Sequence, residues 1–339
     1  MKNKKFNVAI LGATGAVGEA MLEILAERQF PADQIYALAS ERSAGQSVNF
    51  NGKSLSVLNV AEFDFSKAHI GLFSAGATVS EKYAPIAAKA GCVVIDNTSQ
   101  FRYEKDIPLV VPEVNAAMIA HYKKRRIIAN PNCSTIQMVV ALKPIYDAVG
   151  IKRINVATYQ SVSGAGKDGI DELISQTTQL LNGKPTNSEV FSQQIAFNVL
   201  PHIDEFQKNG YTREEMKMVW ETQKIFDDHT IKVNPTAVRV PVFYGHSEAV
   251  HIETKEKITA QEAKKLLKQS PGIIVIEEEN RYPTAVGEAA QTDAVYVGRI
   301  REDISHPRGL NLWIVADNVR KGAALNAVQI AELLISDYL

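Results

Sequence analysis

A continuous apolar run that leads directly into a glycine-rich turn places the strongest limit on how this chain can fold. Val8–Leu11 form the run, Gly12–Gly18 form the turn, and apolar residues then recur at helical spacing over residues 20–26. A strand that is apolar on both faces is typical of a parallel sheet covered by helices on both sides. The order of strand, glycine turn and helix therefore predicts the first βαβ unit of a doubly wound α/β domain.

Strands and helices continue to alternate as far as residue 149. The later predicted strands are Gln34–Ala39, His69–Ser74, Cys92–Asp96 and Ile127–Ala129, and the predicted helices are Ala20–Ala26, Ser80–Ala90 and Thr135–Val149. This alternation predicts a Rossmann-type parallel sheet, and we expect the first domain to cover residues 1–130.

Beyond Ile151 the pattern changes to longer strands in which apolar and polar residues alternate. The clearest of these predicted strands are Asn155–Gln160, Ala237–Phe243, Ala249–Thr254 and Leu312–Ala316. Such alternation indicates a sheet with one exposed face, and hence an α+β domain over residues 131–317. Gly322–Ser336 is predicted to be an amphipathic helix, and we expect residues 318–339 to pack back on the first domain.

One helix of the second domain has a clear start signal. Thr212 and Glu215 have the spacing of a capping box, which predicts a helix that runs through Phe226. The apolar residues Met216, Val219 and Trp220 lie on one face of this helix.

The composition argues against several classes of protein. The 339 residues include 37 Lys and Arg against 38 Asp and Glu, a net charge of −1, so the concentrated positive face that nucleic acid needs is not expected. No apolar stretch approaches the roughly 18 residues of a membrane span. Lys2 and its neighbouring lysines resemble a signal-peptide start, but glycines interrupt the apolar stretch that follows, and we expect a solvated lead-in and a cytoplasmic protein.

The chain has two cysteines, Cys92 and Cys133, so neither a disulfide scaffold nor a zinc site built from cysteines is indicated, and no metal is expected. Cys133 directly precedes a predicted helix, where the helix dipole and unpaired N–H groups lower the pKa of a thiol and stabilise an oxyanion. It is the candidate nucleophile, with a buried cysteine at a helix start as the alternative. We expect Cys92 to be a buried structural residue.

The glycine turn predicts a nucleotide cofactor. Gly15 and Gly18 fit the pattern G-x-G-x-x-G, although Ala13 occupies the place of the first glycine and Gly12 comes one residue early. Backbone N–H groups at the start of the following helix can hold a pyrophosphate. The alternative is a plain turn at a helix start.

The residues after the second predicted strand favour NADP. Arg42 lies between Ser40 and Ser43, and a guanidinium with two hydroxyls suits a 2′-phosphate. If Glu41 instead faced the ribose and Arg42 faced solvent, NAD would be preferred.

A thiol nucleophile needs a base, and the chain has seven histidines. His246 is the candidate because it follows the predicted strand Val238–Val242, and functional groups collect at strand ends. A lone histidine is more often a surface or core residue, and that alternative stays open.

Motifs along essentially the whole chain resemble those of the bacterial aspartate-semialdehyde dehydrogenases. They are GATGAVG from Gly12, SERSAG from Ser40, FSAGATVS from Phe73, DNTSQFR from Asp96, VPEVN from Val111, NPNCSTIQM from Asn130, TYQSVSGAG from Thr158, EEMKMVWETQKI from Glu214, VRVPVFYGHSE from Val238 and DNVRKGAALNAVQIAE from Asp317. Several of these motifs are not general cofactor patterns, so together they are highly specific.

The resemblance implies reversible conversion of L-aspartate 4-semialdehyde, phosphate and NADP into 4-aspartyl phosphate and NADPH, in the biosynthesis of lysine, threonine, methionine and diaminopimelate. It also implies a homodimer, in some members a tetramer, in which the second domain is catalytic and forms the dimer interface.

The resemblance also assigns site residues, each at a matching position of this sequence. The implied catalytic and substrate residues are the nucleophile Cys133, the general acid/base His246, Gln160, which positions the intermediate and binds substrate, the carboxylate ligand Arg239, the amino-group ligand Glu221, and the phosphate ligands Arg102 and Lys224. The implied NADP contacts are Gly12, Thr14, Gly15, Ala16, Val17, Ser40, Arg42, Ser43, Ser163, Gly164 and Asn318.

Elementary chemistry agrees with these roles. Glu221 and Lys224 are three residues apart on the predicted helix and can face one ligand. Without the resemblance, a solvated salt bridge between them would be the default interpretation. Arg102 would likewise be interpreted as an ordinary surface arginine. In the implied mechanism the Cys133 thiolate attacks the aldehyde, His246 removes the hemithioacetal proton as hydride passes to NADP, and phosphate displaces the thioester.

Other interpretations remain open at this point. N-acetyl-γ-glutamyl-phosphate reductase shares the chemistry but usually has a GCYPT-like sequence at its cysteine, where this chain has Asn132-Cys133-Ser134-Thr135. A glyceraldehyde-phosphate type fits less well, because Glu221 and Arg239 suit an amino-acid head group. A cysteine acyl hydrolase and an inactive NADP-binding paralogue are the alternatives from other classes.

Overall fold

The computed structural model describes residues 4–339, so Lys2 lies outside the described residues. The strands in that part of the chain are β1 (Phe6–Leu11), β2 (Ala32–Ala39), β3 (Ser47–Phe50), β4 (Lys53–Asn59), β5 (Ile70–Phe73), β6 (Val93–Asp96), β7 (Ile127–Ala129), β8 (Ile151–Gln160), β9 (Lys232–Arg239), β10 (His246–Thr254), β11 (Ile273–Ile276), β12 (Val295–Glu302) and β13 (Gly309–Ala316). The α-helices are α1 (Ala16–Glu27), α2 (Ala77–Lys89), α3 (Pro112–Asn115), α4 (Cys133–Val149), α5 (Lys167–Leu181), α6 (Arg213–Phe226), α7 (Ala260–Lys268) and α8 (Leu325–Asp337).

The described chain divides into two compact units. The first unit runs to Asn132 and also contains Ala323–Leu339, and the second unit is Cys133–Gly322. Each unit is built around one sheet.

The sheet of the first unit has the strand order β3-β4-β2-β1-β5-β6-β7. All neighbouring pairs are parallel except the edge hairpin of β3 and β4. Every residue of β5 and β6 is buried, as expected for apolar strands that helices cover on both faces. The predicted doubly wound parallel sheet is confirmed.

The chain order of these strands reverses beside β1. β2 lies on one side of β1 and β5 on the other, and both pairs are parallel. The carboxyl ends of β1, β2 and β5 therefore meet at one edge of the sheet. In open α/β sheets ligands bind at such a reversal, so the glycine turn after β1 occupies the expected place for a nucleotide.

The C-terminal helix belongs to the first unit. Arg28 of α1 forms a two-bonded ion pair with Glu332 of α8, with both N–O distances at 2.8 Å. Asn326 donates to Oδ1 of Asn130 (2.6 Å) and to the carbonyl of Val110 (3.0 Å). The helix begins at Leu325, after a π-type turn over Arg320–Ala324, and so starts later than the predicted Gly322.

The second unit has a mixed sheet with the order β11-β12-β13-β10-β8-β9. β10 is antiparallel to β8 and β13, and β8 is parallel to β9. α4 packs against β10 and β13, and α6 packs against α4 and β9. This is the α+β arrangement that the alternating strands predicted.

One local prediction for the second unit is wrong. The predicted strand Ala237–Phe243 ends early, because β9 stops at Arg239 and a loop leads into β10. Pro241 has no N–H for a ladder, and Gly245 has a φ of +88°, which favours glycine. His246 therefore opens β10 instead of following a strand.

The capping box of α6 is confirmed, with Thr212 and Glu215 bonded in both directions. The stripe of apolar residues is not the buried face, however, since Trp220 is 40% exposed. The buried face is largely polar and consists of Glu214, Glu215, Met218, Glu221, Thr222 and Ile225. Polar partners from neighbouring elements, described below for Glu214, make such a face possible.

Candidate active site

The glycine turn of the first unit forms a close-packed cradle at the start of α1. Gly12 has a φ of +91°, and a Cβ on residue 18 would lie 2.1 Å from the carbonyl oxygen of Gly12. α1 begins after Gly15 without a side-chain cap. Thr14 lies in the turn, and Ala16 and Val17 open the helix. The turn thus has the backbone geometry and the uncapped helix start that suit a pyrophosphate.

The second candidate cofactor segment follows β2 at the same edge. Leu11 of β1 pairs with Leu38 of β2, so the turns after both strands are neighbours. Glu41–Ser43 form a short 3-10 turn that Ser40 precedes. Arg42 and Glu41 are both exposed, which leaves both side chains accessible to the ribose end of a nucleotide.

Arg102 follows β6 in the same unit and is only 6% exposed, so it is not an ordinary surface arginine. Its Nη2 donates to the carbonyl of Asn97 (2.9 Å). Burial raises the pKa of the nearby Asp96, and bonds from Ser80 and Thr98 and the charge of Arg102 oppose this rise. Arg102 is thus a positive group held in a largely buried loop, as an oxyanion ligand requires.

In the second unit, several predicted site residues meet at one edge of the sheet. Gln160 and Arg239 end β8 and β9 and pair directly with each other. His246 opens β10 opposite Ala316, the last residue of β13, and Asn318 follows two residues later. The strand register therefore gathers residues that lie far apart in the sequence.

His246 is fully buried, and its ring is fixed by Ser161. The backbone N–H of Ser161 donates to Nδ1 of His246 (3.1 Å), and the Ser161 hydroxyl lies 3.1 Å from the same atom. Because Nδ1 accepts from the backbone, the hydrogen bonding assigns the proton of the neutral ring to Nε2. Burial first, and then the charge of Arg239, lower the pKa of His246 to about 3, although Glu214 and the Gly245 carbonyl oppose this.

Arg239 lies against the loop after β8. Its Nη1 donates to the carbonyl of Ser161 (2.8 Å). A Cβ on residue 164 would lie 2.7 Å from this nitrogen and 3.5 Å from Nε2 of His246, so Gly164 leaves room for both side chains. Burial lowers the pKa of Arg239, and the charges of Glu214 and Cys133 oppose this effect.

Asn318 connects this loop to the end of β13. Its Oδ1 accepts from the hydroxyls of Ser161 (3.0 Å) and Ser163 (3.2 Å) and from the N–H of Gly245 (2.9 Å). Its side chain is thus a buried anchor for the residues on both sides of His246. The sequence predicted Ser163, Gly164 and Asn318 as cofactor contacts, and the structure brings these three residues together around His246.

Cys133 is the first residue of α4 and is half-buried. The helix start and the charge of Arg239 both favour a negative sulfur at this position. Gln137, one turn later, donates to the carbonyl of His246 (3.3 Å) and so ties α4 to β10. Cys92 differs, because it is fully buried and burial raises the pKa of its thiol to about 12, which keeps it unreactive.

Glu221 and Lys224 lie three residues apart on α6, as predicted. Glu221 is fully buried, whereas Lys224 is half-buried. A solvated salt bridge does not describe a carboxylate with no exposed surface, so the burial of Glu221 favours a place inside a site.

Glu248 is a second fully buried carboxyl group, two residues after His246 on β10. Among residues 4–339 neither of its oxygens, nor Oε1 of Gln137, has a hydrogen-bond donor. Burial raises the pKa of Glu248 well above its usual value, and the adjacent amide of Gln137 only partly opposes this. A proton on Glu248 would give this carboxyl group one donor, and Oε1 of Gln137 is a nearby acceptor that lacks one.

Sequence reasoning missed Ser161, Glu214 and Gly322 as contributors to this site. Ser161 and Glu214 contact candidate catalytic side chains, and a Cβ on residue 322 would lie 2.8 Å from the Cβ of Cys133. The only signal for Glu214 was its place in the α6 motif, next to the capping-box residue Glu215.

Within residues 4–339 no group of three or more His, Cys, Asp and Glu side chains is arranged to hold a metal ion. No helix in the same part of the chain is both long enough and apolar enough to cross a bilayer.

Two family models match the chain. The model described as semialdehyde dehydrogenase, NAD binding domain, matches residues 7–122, and the model described as semialdehyde dehydrogenase, dimerisation domain, matches residues 142–321. The chain is 66% identical over 336 residues to an aspartate-semialdehyde dehydrogenase of Shewanella violacea, with 99% of each chain covered.

Solved structures agree with these matches. A Vibrio cholerae aspartate semialdehyde dehydrogenase II complexed with ASA superposes with a TM-score of 0.98 at 66% identity, covering 99% of this chain and 100% of the other. A probable aspartate-semialdehyde dehydrogenase from Pseudomonas aeruginosa superposes with a TM-score of 0.95 at 38% identity, with 99% and 100% covered.

Proposed function

The chain belongs to the aspartate-semialdehyde dehydrogenase family, and from this premise we propose that it is a phosphorylating, NADP-dependent enzyme that interconverts L-aspartate 4-semialdehyde and 4-aspartyl phosphate. As a member it is an oxidoreductase that acts on an aldehyde and uses a nicotinamide cofactor. The observation that carries the finer proposal is the meeting of Gln160, Arg239 and His246 at one sheet edge, with Cys133 near enough to Arg239 for the two groups to interact electrostatically.

The substrate's amino-acid end is recognised by opposite charges. Arg239 offers a planar fork that suits the α-carboxylate, and its burial strengthens that interaction. The fully buried carboxylate of Glu221 suits the ammonium group. Both residues favour an amino acid over a sugar phosphate or an N-acetylated substrate, whose acetyl group removes the positive charge.

Cys133 forms the covalent intermediate. Its thiolate adds to the aldehyde carbon, and the carbonyl oxygen becomes an alkoxide, so a hemithioacetal forms without an external base. After loss of hydride the carbon is a thioester, and an oxygen of phosphate then adds to it and expels the thiolate. The products are 4-aspartyl phosphate and the restored Cys133 thiolate.

His246 stabilises the negative charge on the reacting oxygen through Nε2. In the resting structure Nδ1 accepts from Ser161, so Nε2 carries the ring proton and donates a hydrogen bond to the alkoxide while it keeps that proton. This is the acid/base residue that the sequence predicts, and it begins the reaction as a hydrogen-bond donor. With a pKa near 3 the ring is neutral at physiological pH, so it does not repel the positive charge of Arg239.

The nicotinamide cofactor supplies the hydride acceptor for oxidation and the hydride donor for reduction. In the first unit the Gly12–Val17 cradle suits its pyrophosphate, and Arg42 with Ser40 and Ser43 suits a 2′-phosphate. In the second unit Ser163, Gly164 and Asn318 suit the nicotinamide end.

Phosphate is bound by cations. Arg102 is held in a largely buried loop of the first unit, and Lys224 lies one turn from Glu221 in the second. Each supplies a positive charge for an oxyanion.

The assembly and the cellular role are also part of the proposal. A match to a dimerisation domain supports a homodimer, and the tetramer that some members form is the second assembly to test. Near-zero net charge and average composition support a cytoplasmic place of action, and the substrate supports a role in lysine, threonine, methionine and diaminopimelate biosynthesis.

The deciding experiment measures NADPH formation from aspartate semialdehyde and NADP, with and without phosphate. N-acetyl-glutamate semialdehyde serves as the control substrate. We expect phosphate-dependent reduction of NADP with aspartate semialdehyde alone. Activity with the control alone would reassign the substrate pocket, and no activity with either substrate would indicate an inactive paralogue.

A further inference from the structure

Gln160 is 1% exposed, and its amide is held by two acceptors. Nε2 donates to the carboxylate oxygen Oε1 of Glu214 (3.2 Å) and to the hydroxyl oxygen of Thr158 (3.3 Å). An amide nitrogen has two hydrogens, so these two bonds use its full donor capacity. The carbonyl end of the amide is therefore the end that remains for a substrate.

Glu214 is itself held in place at the start of α6. It is buried, and its second oxygen accepts from Nζ of Lys217 (2.9 Å), which also donates to Asp204 (2.8 Å). Burial lowers the pKa of Lys217, but the charges of Glu214 and Asp204 and the bonds to them outweigh it, so the net shift is upward. Lys217 thus holds an ammonium group in an ion pair with the carboxylate of Glu214.

An ionised carboxylate only accepts hydrogen bonds, and this decides which way Gln160 points. The two ends of a glutamine amide have almost the same shape, so a neutral partner would let the amide rotate by half a turn. Beside Glu214 the rotated form would place two acceptors against each other. Glu214 therefore selects the orientation that directs the carbonyl oxygen of Gln160 away from α6.

The charge of Glu214 also acts on other parts of the site. It opposes the burial effects on the pKa values of Arg239 and His246. One carboxylate thus interacts with the candidate substrate ligand, the candidate acid/base residue and the amide of Gln160, although its own oxygens are bonded to Gln160 and Lys217.

We propose that Glu214 is a positioning residue that fixes the amide of Gln160 so that its carbonyl oxygen, and not its NH₂ group, meets the substrate. This proposal rests on the proposed function, because it gives Gln160 a role in the reaction. It also specifies that role: Gln160 accepts a hydrogen bond, as from the substrate ammonium group or from a protonated phosphate oxygen.

The test is a double-mutant cycle of Gln160→Ala and Glu214→Gln. Glu214→Gln keeps the shape of the side chain but supplies a donor and so removes the orientation of Gln160. We expect it to lower kcat by roughly 10- to 100-fold with a smaller change in KM for the semialdehyde. In the double variant we expect most of the Glu214→Gln loss to disappear, because Glu214 acts mainly through Gln160, and only the smaller effect of its charge on Arg239 and His246 to remain.

Two further variants separate positioning from folding. Asp204→Asn alters the Lys217 ion pair without touching Gln160 and should keep nearly full kcat, whereas Glu214→Asp, which retains the charge, should recover part of the activity. Thermal unfolding of each variant checks that the fold persists.

Each contradicting result has its own meaning. The positioning role would be overturned if the decreases in kcat of the two single variants multiplied in the double variant. It would also be overturned if Asp204→Asn lowered kcat as much as Glu214→Gln. Full activity of Gln160→Ala would instead remove Gln160 from the proposed mechanism.

Discussion

A Cβ on residue 322 would lie 2.8 Å from the Cβ of Cys133, so the chain passes beside the candidate nucleophile with room for glycine alone. Gly322 belongs to the π-type turn over Arg320–Ala324, and its N–H donates to the carbonyl of Asp317 (2.9 Å). Single turns of this kind are frequent at functional sites. The backbone of this turn thus packs directly against Cys133 and limits where its side chain can lie.

Gly322→Ala should therefore displace the thiol. We expect kcat to fall by roughly tenfold or more, because small displacements of reacting groups slow a reaction strongly. We also expect the rate at which iodoacetamide alkylates Cys133 to change. Peptide mass spectrometry after timed labelling measures that rate. Gly183→Ala is the control for replacing a glycine away from the site, since a Cβ there meets nothing within 4 Å, although its φ of +65° adds backbone strain that residue 322 does not have. If kcat and the labelling rate were both unchanged, the turn would be able to accommodate a methyl group without displacing Cys133.

The two cysteines should respond oppositely to replacement. Cys133→Ala is expected to abolish turnover and to leave NADP binding intact, since in the proposed mechanism the sulfur forms the covalent intermediate. Cys92→Ala is expected to keep kcat and to lower the free energy of unfolding by about 1 kcal/mol, because it leaves a small void in a buried position. Steady-state assays and urea unfolding test both. Substantial activity in Cys133→Ala would remove it from the mechanism.

Cofactor preference should depend on Arg42. Arg42→Ala is expected to raise KM for NADP far more than KM for NAD, because only NADP carries the 2′-phosphate that a guanidinium binds. Glu41→Ala is the matched variant in the same exposed turn and should change NADP use little. If Arg42→Ala raised both KM values alike, or if Glu41→Ala abolished NAD use while Arg42→Ala had no effect, an NAD-type site would be indicated.

Glu248 should make the native state less stable as pH rises. Its pKa is raised in the folded protein, so between about pH 4.5 and that raised pKa the folded state holds a proton that the unfolded state has lost. There the free energy of unfolding falls by up to about 1.4 kcal/mol per pH unit for this one proton.

Glu248→Gln removes this proton linkage. The free energy of unfolding of the variant, measured relative to that of the wild type, should therefore be higher at pH 8 than at pH 5. Urea unfolding at several pH values measures the difference, with the exposed Glu256→Gln as control. Parallel stability curves for Glu248→Gln and the wild type would contradict a buried, protonated Glu248.

Local signals predicted much of the fold. The apolar run Val8–Leu11 lies in β1, which ends where the glycine turn begins, and the Thr212–Glu215 capping box opens α6 as expected. α4 lies where a helix was predicted, although it begins at Cys133, two residues before the predicted start at Thr135. Features of this kind depend only on residues close together in the chain, so they can be predicted from the sequence.

The failures came from distant partners. On α6 the apolar residues Met216, Val219 and Trp220 suggested one face, yet the buried face carries three glutamates. The carboxylate of Glu214 is stable there because Gln160, 54 positions away, and Lys217 bond to it. The strand register that places Gln160 beside Arg239 is likewise a property of the folded sheet and cannot be deduced from spacing.

The place of α8 has a consequence for how the protein is made. A ribosome releases β1–β7 first, then all of Cys133–Gly322, and only then the helix whose Asn326 and Glu332 bind Asn130 and Arg28. Domains generally fold as units during synthesis, from the N-terminus onward. Here the nucleotide-binding unit must wait for its last helix while the second unit emerges and folds, so the first unit to be translated is the last to be completed.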